Sequence, residues 1–120
     1  MSSRIEEMAR DLGQALGRTE EYQALRKAAS GVEEDRDLIG LKNELERLEA
    51  EIVTLLRDGK EPDPGTSERY DTLAQSLQVR PAYQRLVASQ TNFDKVLQRV
   101  NDTIAQGIQD ASQSRIILPS

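Results

Sequence analysis

Apolar residues recur along this chain in alternating steps of three and four, and they do so in two long stretches. Leu38, Leu41, Leu45, Leu48, Ile52 and Leu55 form the first, and Leu86, Phe93, Leu97, Val100, Ile104 and Ile108 the second. A repeat near 3.5 residues puts one apolar seam on each of two long helices. The pattern predicts an elongated antiparallel hairpin of these two helices, seam against seam, with two or three shorter helices around it. Gln90 stands where the second seam needs an apolar side chain. It is either a solvated edge residue or a buried polar group that fixes register.

Shorter amphipathic segments precede and separate the seams. Ile5, Met8, Ala9, Leu12 and Leu16 share one helical face, with Ser3 and Glu6 spaced as a capping box and Gly17 as a stop. Thr19 is placed to cap a second helix carrying Tyr22, Leu25, Ala28, Ala29 and Val32, which Gly31 weakens near its end. The first long helix is expected from about Asp35 to Asp58, a length of roughly 36 Å. Gly59 ends it, and Pro62 and Pro64 mark a loop. Ser67 is the expected cap of a short helix presenting Tyr70, Leu73, Ala74 and Leu77. Pro81 suits the first turn of the last helix, expected to reach Asp110, roughly 45 Å away. The fold class is all-α. One helical domain spans residues 1–112, and residues 113–120 form a short tail whose Ile116, Ile117 and Leu118 are apolar enough to dock.

Ile39, Val53, Leu56, Val87 and Val96 flank the seams and widen each stripe beyond what one facing helix covers. With Gln90 they are the candidate interface residues: the short helices cover part of the excess and another chain the rest. Composition points the same way. Leu, Ile, Val and Phe make up only 28 of 120 residues, and the aromatics are three Tyr and one Phe. So thin a core in a chain of long helices favours a homo-oligomer, dimer or higher, or a related helical partner.

Charge and residue types exclude much else. The net charge is −5, which disfavours direct nucleic-acid binding. Without Cys there is no disulfide, thiolate nucleophile or iron–sulfur ligand, and without His the commonest general base and metal ligand is missing. Glu33, Glu34, Asp35 and Asp37 lack calcium-loop spacing and read as a solvated helix start. Glu44 and Glu51 lie off the seam, without the histidines of a di-iron bundle. No catalytic, cofactor-binding or metal residues are assigned, no small-molecule substrate is implied, and no apolar run is long enough to span a bilayer. A cytoplasmic, non-enzymatic protein is the expectation.

The order of the pieces resembles the YlbF/YmcA family of small helical bacterial proteins. The matching stretches are Ala9-Arg10-Asp11-Leu12-Gly13, Glu21-Tyr22 with Leu25 and Ala28, and Asp35 before the first seam. Gly59, Pro81, Tyr83, Ala88-Ser89-Gln90, Leu97, Val100-Asn101 and Ile104 follow, so the likeness covers roughly residues 3–110. It implies an all-α, oligomeric, non-enzymatic adaptor. Members join a YaaT-type partner in a complex associated with RNase Y-dependent mRNA processing, and through it with competence, biofilm formation and sporulation. A YheA-like branch has no clear function. That complex has been linked to iron–sulfur clusters, for which this chain supplies no cysteine. The alternative is a structural or chaperone-like helical oligomer that holds apolar client segments.

Overall fold

The computed structural model describes residues 2–117, with side chains described for 3–113. Five helices follow one another: α1 Ser2–Gly17, α2 Glu20–Glu34, α3 Arg36–Arg57, α4 Pro64–Gln78 and α5 Pro81–Ile117. No strand occurs among the described residues. α1 begins at Ser2, so Ser3 lies inside its first turn instead of preceding the helix. Helix α5 runs on through residues 113–117, beyond the expected end at Asp110. Leu118–Ser120 and the docking expected of the tail's side chains lie outside the described residues.

Local chemistry sets the boundaries. Thr19 Oγ1 accepts the Tyr22 N–H at 3.1 Å and donates to the Leu16 carbonyl at 2.7 Å, closing α1 and opening α2 with one hydroxyl. Gly31 does not break α2, which packs along α5. The break comes at Asp35, whose extended backbone ends α2 while its carboxylate accepts the Leu38 N–H at 3.1 Å to start α3. At the other end of α3, Gly59 takes φ +74°. The Lys60 N–H then reaches the Leu55 carbonyl and the Gly59 N–H the Leu56 carbonyl, a Schellman closure. Asp63, not Ser67, caps α4: its carboxylate accepts the Thr66 N–H at 2.8 Å, and Pro64 fills the first turn.

The seams are covered only in part, with Ile104 and Ile108 left exposed, and not by each other. α3 lies along α4 and α5 along α2, whereas α3 and α5 share no lengthwise packing. Leu38, Leu41, Leu45, Leu48, Ile52 and Leu55 are therefore shielded largely by the Tyr70, Leu73, Ala74 and Leu77 face. Leu86, Phe93, Leu97 and Val100 turn toward α2, where Tyr22 and Phe93 meet with ring centroids 5.2 Å apart and planes tilted by 57°. Seam periodicity defines a buried face and is silent on its partner. The one-residue joint at Asp35 lets α3 leave α2 without a loop, and the loop of residues 58–63 then brings α4 back onto it.

The result is two helical arms that meet at a junction. Val32, Leu38, Leu77 and Ala82 form its buried centre, joined by half-buried Leu41, Leu45, Tyr83 and Leu86. Each of α2, α3, α4 and α5 contributes an end to it. The molecule measures 72 × 37 × 24 Å with a radius of gyration of 22.1 Å, against about 14 Å for a compact chain of this length. Its accessible surface is 9614 Å², where a compact monomer of 13.4 kDa would show roughly 6,500 Å².

Candidate interaction surface

Charge and apolar surface are distributed unevenly over the two arms. Residues 36–78, the α3/α4 arm, hold ten acidic and six basic residues, nearly the whole net charge of −5. The arm is stitched across its helices by polar pairs at the surface. Tyr70 donates its hydroxyl to Glu49 at 2.9 Å, and Arg69 pairs with Glu44, which also lies 3.9 Å from Arg47. The Glu49 hydrogen bond, with its negative charge, raises the Tyr70 hydroxyl above its ordinary pKa. The Thr66 amide, helped by the Thr66 hydroxyl, holds the Asp63 carboxyl below the usual carboxylate range. Both shifts arise in a cap and a cross-helix tie, so neither marks a reactive group.

The clefts of the molecule are shallow and chemically plain. One of about 510 Å³ at the outer end of the α3/α4 arm is bounded by Arg47, Glu51, Asp63 and Arg69. Its charges are of both signs, and Asp63 is spent on the helix cap. A second, of about 790 Å³, runs between α2 and α5 over Ala24, Ala28, Gly31, Ala82 and Ala88. No buried side-chain polar atom lacks a hydrogen-bond partner, and no group of three or more His, Cys, Asp or Glu is placed to hold a metal among the described residues. No described helix is long and apolar enough to cross a membrane.

The sequence-predicted interface residues fall into four groups. Val53, Leu56 and Val87 are exposed large apolar side chains. Ile39 is half-buried. Gln90 is exposed and off the seam, donating to Asp94 at 3.0 Å within its own helix. It therefore fixes no register in this chain, and Ser89, half-buried, takes the inward place. Val96 is only 9% exposed. It belongs to the chain's own packing, because α5 turns it inward together with Phe93, Leu97 and Val100.

The larger apolar surface lies elsewhere. Ile5, Met8 and Leu12 on α1, and Ile104 and Ile108 on α5, are all exposed. The spacing put Ile104 and Ile108 on an inward seam and Ile5, Met8 and Leu12 on one helical face, and it did not show that all five are exposed. α2 has 15 residues and α5 has 37, so the second half of α5 outruns its cover. Every described side chain from residue 101 to 113 is exposed. Between α1 and α5 opens an apolar cleft of about 330 Å³ lined by Leu12, Val96, Val100 and Ile104, with Arg99 and Thr103 beside them.

What the geometry defines is an elongated all-α protein whose free features are helix faces. A family model described as control of competence regulator ComK, YlbF/YmcA, matches residues 5–109. The chain belongs to this regulatory family of helical proteins. It is similar to UPF0342 proteins of Leuconostoc mesenteroides (20% identity over 111 residues, 92% of this chain and 95% of the relative) and Streptococcus mutans (21% over 113 residues, 94% and 100%). Its fold matches a chain in the crystal structure of Bacillus subtilis RicA in complex with RicF. The TM-score is 0.83 at 16% identity, over 93% of this chain and 99% of that one.

Proposed function

We propose that this chain is a non-enzymatic adaptor, a regulatory subunit that works by presenting helix faces to other proteins. Its family membership across residues 5–109 carries the reading. Support comes from the RicA–RicF complex, in which a protein of the same fold is bound to a protein partner. The chain's own surface adds to it: an accessible area of 9614 Å² is far above that of a compact monomer, and helices this extended gain stability when a neighbour covers them. Val53 and Leu56 on α3 and Val87 on α5, together with Ile39 and Gln90, are the positions offered to a partner. The process served is RNase Y-dependent mRNA processing, with competence, biofilm formation and sporulation downstream of it.

The test is genetic and biochemical. In the native host, loss of the chain leaves RNase Y-dependent transcripts uncut, and the wild-type chain restores their cleavage; transcript-end mapping reads this directly. Unchanged cleavage after loss of the chain rejects the RNA-processing role. Binding to many unrelated unfolded proteins, with no stoichiometric partner, favours the chaperone-like alternative instead.

A further inference from the structure

We infer that α1 is a strap that swings about the joint at residues 17–19 and closes on the overhanging end of its own α5. The motion belongs to the single chain and goes beyond the adaptor reading, since it requires no partner. Every described side chain of α1 from Ser3 to Ala15 is exposed, and a side chain added at Gly13 or Gly17 would meet nothing within 4 Å. A helix of 16 residues without cover is marginal in water, where even good helix formers need about 12–15 residues or more to hold on their own. Ile5 at 71% and Met8 at 59% exposure leave the apolar face of α1 open. α5 has the complementary lack. It runs on from residue 101 to 117, within one residue of the length of α1, with every described side chain there exposed.

The two faces match in register. α2 runs antiparallel to α5, with Tyr22 against Phe93 at one end and Val32 clustered with Ala82 at the other. α1 precedes α2 across only Arg18 and Thr19. Continuing that pairing outward sets Leu16 opposite Val100, Leu12 opposite Ile104, Met8 opposite Ile108 and Ile5 opposite Ala111. Each set of four spans about 80° of its helix, a single stripe. The inner end is already partly covered: Leu16 and Val100 are half-buried, and Leu12, Val96, Val100 and Ile104 share one cleft. That cleft is the gap that closure removes. Arg99 stands at its rim, about 140° round α5 from Ile104, and also borders Glu21 and Asp102 in the neighbouring cleft. Closure therefore buries no charge. Thr19 has extended backbone at ψ 153°, so rotation at Arg18 and Thr19 alone moves α1, with few dihedrals to reorder.

The chain has no cysteine, so paired cysteines placed in one full chain report closure. Met8→Cys with Ile108→Cys is expected to oxidise to an intramolecular disulfide at least about tenfold faster than Met8→Cys with Ile104→Cys, which is one helical turn out of register. Spin labels at the exposed positions Glu6→Cys and Gln106→Cys are expected to show two distances, one for each position of the strap. Ile104→Glu with Ile108→Glu removes the shorter distance and lowers the helical circular dichroism as α1 frays. Val53→Glu with Leu56→Glu, on the other arm, leaves both distances in place. A single distance unchanged by the α5 substitutions, equal oxidation of the matched and slipped pairs, or a disulfide formed only between chains overturns the inference; the last outcome makes a second copy the cover of α5.

Discussion

Leu38 is 1% exposed and sits where four helix ends meet, so its side chain has neighbours on every side. Leu48, two turns or more further along α3, is also buried, under α4. Leu48→Ala is expected to cost about 2–5 kcal/mol, the usual penalty for emptying a leucine site, read by thermal or urea unfolding. An unchanged midpoint would mean that α3 is turned away from α4. Gln90→Leu is expected to shift stability by less than about 0.5 kcal/mol, because its only tie is a surface bond to Asp94. Such positions show what a sequence pattern conveys at this scale. Leu38 and Leu48 were legible because helical phase fixes which side chains face inward. Gln90 was not, because a step from Leu86 to Phe93 is bridged equally well by residue 89 or 90, and only packing selects between them.

Helices, too, were legible as units, since caps and stops are local chemistry: Thr19, Asp35, Gly59 and Pro81 each mark a boundary within a few residues. Their pairing was not. α3 and α5 carry seams of similar spacing and were expected to face each other, yet α4 and α2 lie beside them. A stripe three or four residues apart specifies an apolar face, and α4 with Tyr70, Leu73, Ala74 and Leu77 satisfies α3 at less cost in chain closure than a helix further away. The α3/α4 pair has two sensitive points. Gly59→Ala forces a side chain into φ +74° and is expected to lower stability by about 1 kcal/mol, measurable by unfolding midpoint. The Tyr70–Glu49 tie depends on a protonated phenol. Its pKa is raised in the folded chain, so its stabilisation is present below the ordinary tyrosine value of about 10 and is lost as pH rises through the folded value. Tyr70→Phe removes that dependence; an alkaline unfolding profile identical in both proteins would show that the tie contributes nothing.

Over the whole molecule, extension is the dominant fact. The single chain is expected to scatter X-rays with a radius of gyration near 22.1 Å, not the roughly 14 Å of a compact chain. A compact value would show that the two arms fold against each other. The sequence carried a hint of this shape in the mismatch between 15 residues before Asp35 and more than 30 after Pro81, but amphipathicity alone does not say how far a covering helix reaches. The partition of charge has its own consequence. With an excess of four carboxylates over basic groups on residues 36–78 and a net charge of only −1 on the remainder, the chain is an electric dipole as well as a rod. Near a cationic protein it rotates before it touches, acidic end foremost, so the encounter is oriented and slows steeply as salt is added. The exposed apolar end of α1 and α5 then trails outward.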